Sequence, residues 1–234
     1  MKRPTDKYNE IPGEATRRLV VRGGMVVVAA ALVATLAGWT HRVNAGDTVR
    51  LPDVRVIVSR LGSLGQQLDA ANGEVALAML QLDRANAIMA NSSKYQIPAD
   101  LAGSIYDIAL SEGIDPALGY QLVKIESNFK SDARSSMDAL GYTQVQLATA
   151  RFYEPNVTEE KLLERDVNLR IGFRFLSDLL EKFDRDTQLA LLAYNRGPTK
   201  VTQILARGGD PANGYSEAVL KGYSPPRTTE PGWR

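Results

Sequence analysis

KIESNFKSDARSSMDALGYTQVQ, residues 124–146, sets a carboxylate on the shoulder of an apolar helical turn and follows it with a polar loop. The helix that leads there opens at Asp115-Pro116, an acid able to cap and a proline suited to a first turn. Leu118, Leu122 and Ile125 then form a buried stripe by their i, i+4, i+7 spacing. Glu126 falls at the edge of that stripe, near the C-terminal end of the helix. The negative end of the helix dipole and partial burial both disfavour its charged form and push its pKa up. A carboxylic acid still protonated near neutral pH is what general-acid cleavage of a glycosidic bond requires. On position alone the simpler reading is a solvated Glu paired to Lys124 or Lys130.

Composition narrows the chemistry around this acid. With 234 residues there is room for one ordinary domain plus appendages, and a net charge of +1 argues against nucleic acid as the partner. There is no cysteine, hence no disulfide and no thiolate metal site. The single histidine, His41, lies beside the N-terminal apolar run, which excludes His-based catalysis and multi-His metal sites. Carboxylates, hydroxyls, amides and lysines remain, and no cofactor or metal is implied.

Residues 1–45 read as a basic cytoplasmic tail followed by a signal or anchor helix. Lys2, Arg3, Lys7, Arg17, Arg18 and Arg22 precede GMVVVAAALVATLAGW, residues 24–39, which carries no charge. A basic flank and then an apolar core is the pattern of an export signal or of a helix anchored with its N-terminus in the cytoplasm. The uncharged core is shorter than the roughly 20 residues that span a bilayer comfortably. VNA, residues 43–45, offers the small residues of a signal-peptidase site. Cleavage and retention both stay open, with retention as the working expectation. Either way the downstream domain is expected in the cell envelope, on the periplasmic side and tethered to the inner membrane if the helix is kept.

Residues 46–94 form a linker and a heptad-patterned helix. Val54, Ile57, Leu61, Leu64, Leu68, Ala71, Val75, Ala78, Leu82, Ala85 and Met89 alternate spacings of three and four, the seam of a coiled coil. Gly62, Gly65 and Gly73 each cost up to about 1 kcal/mol in a helix interior, and few opposite charges flank the seam. A homodimer through this helix and packing of the helix on the downstream domain are both open.

From Tyr95 to Tyr223 the texture is short, well-punctuated helices without strand alternation. Asp100, Asp115 and Asp166 are read as helix caps, Gly113 and Gly197-Pro198 as stops. Leu169, Phe173, Leu176 and Leu180 share one face of the helix after Asp166. The fold class is all-α, with a Pro-rich disordered tail at residues 224–234.

ESNFKSDARSSMDALGYTQV, residues 126–145, followed after a gap by AYNRGPTKV, residues 193–201, resembles the soluble-type (SLT) lytic transglycosylases, whose domain is related to goose-type lysozyme. Glu126-Ser127, Ala133, Ala139, Gly141, Gln144, Ala193-Tyr194-Asn195, Gly197 and Val201 stand where that family's pattern puts them. DVNLRIGFRFLSDLL, residues 166–180, is similar to its N-I-x-x-G-x-x-Y-L segment, and GYSEAVL, residues 214–220, to its closing helix. The resemblance implies a lysozyme-like α-helical catalytic domain over residues 95–223, acting on peptidoglycan glycan strands. It implies that Glu126 is the catalytic acid and then base, with Ser127 lining the cleft beside it. Gln144 would hydrogen-bond substrate sugar, Tyr194 would hold the Glu126 carboxyl, and Asn195 would bind glycan or orient the site. Gln146 joins these as a substrate-binding residue.

The sequence departs from the family's G-L-M-Q at Tyr142-Thr143, and from the M-P that follows at Gln146-Leu147. Asp138 stands at a position that is often Gly. These changes imply a more polar cleft wall with an added acid. A hydrolase needs a second carboxylate about 5 to 9.5 Å from the first. A lytic transglycosylase does not, because the C6 hydroxyl of muramic acid attacks its own C1 to give a 1,6-anhydro end. Glu126 without a partner of family type favours transglycosylation across the MurNAc–GlcNAc β-1,4 bond. Asp138 or Asp132 as the missing acid would make a goose-type hydrolase, and a glycan-binding scaffold without turnover is a third reading.

Overall fold

The computed structural model describes residues 53–223. The basic tail, the apolar run with its VNA site and the Pro-rich tail lie outside the described residues. Among the described residues no helix is long and apolar enough to cross a membrane, and no cluster of three or more His, Cys, Asp or Glu could hold a metal ion.

The chain divides into two units, Met1–Asn72 and Gly73–Arg234, and the division falls inside the first helix, α1, Val54–Tyr95. In the first unit the α1 side chains are exposed, Val54, Leu61, Leu64 and Leu68 among them. In the second unit the last turns of α1 join a helical core. Ile88 is buried there, and Arg84 makes an ion pair with Asp107. The seam residues Leu82 and Met89 remain exposed.

The second unit is mostly helical. After α1 come α2 (Ala99–Ser111), α3 (Pro116–Ser127), α4 (Leu147–Tyr153), α5 (Glu159–Leu162), α6 (Arg165–Lys182), α7 (Thr187–Arg196), α8 (Pro198–Ala206) and α9 (Tyr215–Leu220). Asp115 caps α3 as expected, accepting from the Ala117 N–H at 2.9 Å. Asp100 and Asp166 are not caps. Each sits in a first turn behind Pro98 and Glu164, where an acid still complements the helix dipole.

One element departs from an all-α domain. Ala139–Leu140 (β1) and Val145–Gln146 (β2) pair antiparallel, Ala139 opposite Gln146 and Leu140 opposite Val145. Two-residue strands are too short to show any alternation, so the sequence carries no sign of them. Gly141, with φ 72°, and Gln144, with φ 49°, turn the chain between them.

The main core gathers Ile105, Tyr120, Leu122, Leu169, Phe173, Leu176 and Leu191, all essentially without solvent. Helix α3 runs through it: every residue from Leu118 to Val123 is buried, so its buried surface is broader than one stripe. Ile125 corrects the expected stripe, since it is 38% exposed at the last turn, where α3 leaves the core. A smaller core of Leu140, Val145, Ala150, Val157, Leu162 and Ile171 holds the hairpin against α4, α5 and α6. Helix α9 packs on both α3 and α7, an arrangement that decides which side chain meets Glu126.

Candidate active site

Glu126 sits one residue before the end of α3, and Asn128 closes that helix in the left-handed conformation, φ 50°. The side chain opens into a cleft of about 490 Å³. One wall is made by Ser135, Met137, Ala139, Gln144, Val145, Gln146 and Thr149, from the loop, the hairpin and α4. The other is made by Phe175, Tyr194, Asn195, Arg196, Gly197 and Pro198, from α6 through the start of α8. Among these lining residues Glu126 is the one acid.

Its surroundings favour the protonated form over the charged one. The residue is half-buried by surface area, and its carboxyl is sunk among protein atoms, so burial raises the pKa from 4.5 to about 7. The Tyr215 hydroxyl donates to Glu126 Oε1 and pulls the other way, because a donor to the carboxylate favours the ionised form. Lys124 and Lys130 make no ion pair with Glu126; the Lys124 ammonium stands instead over the Tyr95 ring, 5.6 Å from its centroid. The solvated surface pair is therefore not what the fold forms.

Of the residues expected around the acid, Gln144, Gln146, Tyr194 and Asn195 line the same cleft and Ser127 does not. Ser127 is buried, and its hydroxyl bonds the Val123 and Tyr142 carbonyls at 3.1 and 2.8 Å. It ties the end of α3 to the loop from the interior, one helical step of about 100° round from Glu126. Tyr194 was expected to hold the Glu126 carboxyl, but its hydroxyl donates to the Thr143 carbonyl at 2.8 Å. Tyr215, from α9, takes that role. Burial raises the pKa of both tyrosines first, and the nearby Glu126 charge raises each further, so both stay protonated donors.

The amides are partly committed. Gln144 donates through Nε2 to the Ala133 and Gly141 carbonyls, each at 3.0 Å, which steadies its own left-handed turn. Its carbonyl oxygen is left for the cleft. Gln146 donates to the Met137 carbonyl at 3.0 Å, and Asn195 accepts from the Asn213 amide at 2.9 Å.

Behind the wall lies a clasp that the sequence reading did not single out. Asn168 is fully buried on α6. Its Oδ1 accepts from the Thr143 N–H and hydroxyl, both at 2.8 Å, and its Nδ2 donates to the Leu140 and Leu162 carbonyls at 2.9 and 3.0 Å. Two glycines make room. A Cβ on Gly141 would meet Asn168 Nδ2 at 2.4 Å, and one on Gly172 would meet Thr143 Oγ1 at 2.3 Å. Tyr142 and Thr143, expected to make the cleft wall more polar, are instead both buried behind it. The asparagine and glycine of the NLRIG segment were the available signal, a polar residue and a Cβ-free position four apart on one helix face.

Neither acid weighed as a second carboxylate lines the cleft. Asp138 is exposed and faces Arg134 at 3.8 Å, and Asp132 is exposed as well.

Fold and site together describe a helical domain with one buried acid in a polar, open cleft. Residues 104–214 match the family described as Transglycosylase SLT domain. Tyr215 lies just past the matched residues. Over 104 residues, 43% of this chain, the sequence is 31% identical to the peptidoglycan transglycosylase gp16 of Escherichia phage T7. An inactive mutant of the lytic transglycosylase Slt from Pseudomonas aeruginosa is 28% identical over 50% of this chain, with a TM-score of 0.44. The soluble lytic transglycosylase Slt70 from Escherichia coli is 20% identical over 53%, with a TM-score of 0.46. These alignments span 8% of the phage protein and 21% and 23% of the two solved chains.

Proposed function

We propose that this chain is a peptidoglycan lytic transglycosylase that cleaves the MurNAc–GlcNAc β-1,4 bond and leaves 1,6-anhydro-MurNAc ends. The observation that carries the reading is Glu126: the one acid lining the cleft, buried, with its pKa near 7 and a hydroxyl donor on Oε1. A pKa there leaves the group able to give a proton and to take one back at neutral pH.

In the first step Glu126 donates its proton to the glycosidic oxygen; the C1–O bond breaks and the muramic ring takes on oxocarbenium character. The carboxylate left behind keeps the Tyr215 hydrogen bond, which stabilises its charge. In the second step the muramic C6 hydroxyl attacks its own C1, and Glu126 recovers the hydroxyl proton. The nucleophile is tethered to its target, so little entropy is lost in bringing it up and no second acid is needed to activate water. Gln144, Gln146 and Asn195 supply amide groups for sugar hydroxyls and acetamides, while Tyr194 holds the loop that carries Gln144. Hydrolysis of goose-type lysozyme kind is the weaker reading, because Asp132 and Asp138 stand outside the cleft lining.

Mass analysis of products from purified peptidoglycan tests the assignment. Anhydro ends, one water lighter than reducing ends, are expected from the wild type. Glu126→Gln should lower turnover at least about 10,000-fold while glycan binding persists, at or beyond the upper end for loss of one acid–base group. Reducing muramic ends would establish the hydrolase, and glycan binding without product in either protein would establish a binding module.

The same reading places the domain in the envelope, tethered or exported by residues 1–45. The exposure of Leu61, Leu64, Leu68 and Leu82 supports a seam open to a second copy, and sedimentation of the 46–91 fragment as a dimer or a monomer decides it.

A further inference from the structure

The charge inventory of the cleft is short. Among its lining residues Arg196 is the one cation, as Glu126 is the one acid. Arg196 is the last residue of α7, followed by Gly197, whose φ of 86° turns the chain into α8. Its Nη1 donates to the Pro211 carbonyl at 2.7 Å, which fixes the guanidinium at the wall. Part of the planar donor fork is left uncommitted.

Among the described residues Arg84, Arg134, Arg165, Arg170, Arg174 and Arg185 each hold an Asp or Glu, whereas Arg196 holds none. Arg55, Arg60, Arg151 and Arg207 are also without an acid, but of these five only Arg196 lines the cleft. It makes no ion pair with Glu126 either, whose Oε1 accepts from the Tyr215 hydroxyl instead. A half-buried cation with no acidic partner, facing a cleft, is available to an anion that arrives with the ligand.

We propose that Arg196 is a specificity-determining residue that engages a carboxylate carried by the bound glycan strand. This rests on the reading of the cleft as a peptidoglycan site. Sugar hydroxyls and acetamides offer neutral acceptors only, whereas a carboxylate takes shorter, charge-assisted bonds from a guanidinium fork. Peptidoglycan carries carboxylates in two places. One is the lactyl group of muramic acid where the peptide has been removed, and the other is the stem peptide where it is present. A glycan polymer without either, built of neutral amino sugars alone, leaves Arg196 unpaired in the complex.

The test is calorimetric titration of the full chain carrying Glu126→Gln, which measures binding without turnover. Three muramic-acid oligosaccharides of equal length serve as probes: one with free lactyl carboxylates, one with those groups converted to methyl amides, and one bearing stem peptides. Adding Arg196→Gln should weaken binding of a carboxylate-bearing probe by roughly 10- to 100-fold, the worth of a hydrogen bond to a charged group. The methyl amide should bind the two proteins alike, and Arg196→Lys should recover part of the loss. A response from the free lactyl probe alone identifies that group as the anion; a response from the peptide-bearing probe alone identifies the stem. Equal weakening of all three probes would mean that Arg196 only positions the Pro211 segment, and the proposal fails. An unchanged affinity for every probe overturns it as well. Absence of binding by any probe refutes the peptidoglycan reading and this proposal together. Arg196-dependent binding with no product from the wild type refutes the enzyme alone.

Discussion

Replacing Glu126 by Gln tests the electrostatics of the cleft with no substrate present. The carboxyl ordinarily titrates at 4.5, and burial beside Tyr194 and Tyr215 raises it to about 7. Folding therefore favours the protonated acid. The stability that this contributes is full below pH 4.5 and is lost as pH rises through 7, where the native state must accommodate a buried charge that the unfolded chain solvates freely. Each pH unit of displacement corresponds to about 1.36 kcal/mol, so the window from 4.5 to about 7 limits the loss to about 3 kcal/mol. Residual solvent at the half-buried side chain lowers the expectation to on the order of 2 kcal/mol.

Gln has the shape of a protonated Glu, accepts the same Tyr215 hydrogen bond and never ionises. The Glu126→Gln protein should therefore match the wild type near pH 4 and exceed it at pH 8 by on the order of 2 kcal/mol. Urea unfolding at pH 4, 6 and 8 reads this directly as a midpoint difference that opens with pH at constant slope. Every other carboxylate titrates in both proteins and cancels. A difference that stays constant across pH, or a variant less stable than the wild type at pH 8, would refute the burial argument and with it the physical basis for a proton donor at neutral pH.

Tyr215→Phe removes the one contact that lowers the Glu126 pKa, so the acid should stay protonated to higher pH. The alkaline limb of the kcat/KM profile, set by Glu126 near 7, should move up by roughly half to one pH unit; a limb that moves down contradicts the assignment. Asn168→Ala strands the Thr143 N–H and the Leu140 and Leu162 carbonyls in the interior, and urea unfolding should show a loss of about 3 kcal/mol. Asp138→Asn should alter product formation by less than about twofold and stability by less than about 0.5 kcal/mol, as for an ordinary surface position. A collapse of activity there would return Asp138 to the chemistry.

What the sequence makes legible follows from how local each signal is. The cap at Asp115, the core face of α6 and the placing of Glu126 at the edge of a buried turn depend on neighbours within a turn or two, and the fold keeps them. The hydroxyl on the acid depends on packing at long range. Tyr215 is 89 residues from Glu126 and reaches it because α9 lies across α3 and α7. Tyr194 belongs to the more conspicuous motif, yet both tyrosines lie near the acid, Tyr194 buried and Tyr215 half-buried, and nothing local tells which hydroxyl points at it. Ser127 fails for the complementary reason: one helical step, about 100°, carries the next residue from the cleft to the interior.

The departure at Tyr142-Thr143 shows how composition misleads when the facing residue is unknown. Two polar side chains beside a cleft read as a polar wall. In the fold Thr143 points inward, where its hydroxyl and N–H both reach Asn168 Oδ1 and its carbonyl accepts from Tyr194. That inward pose needs the space over Gly172, where any Cβ would overlap the threonine. A longer side chain at position 143 would have to leave that space or displace α6, so the threonine and the glycine are matched across 29 residues of chain. The polarity that looked like a more polar cleft wall is spent on holding the turn from Gly141 to Gln144, and so on fixing where the one free oxygen of Gln144 stands in the cleft.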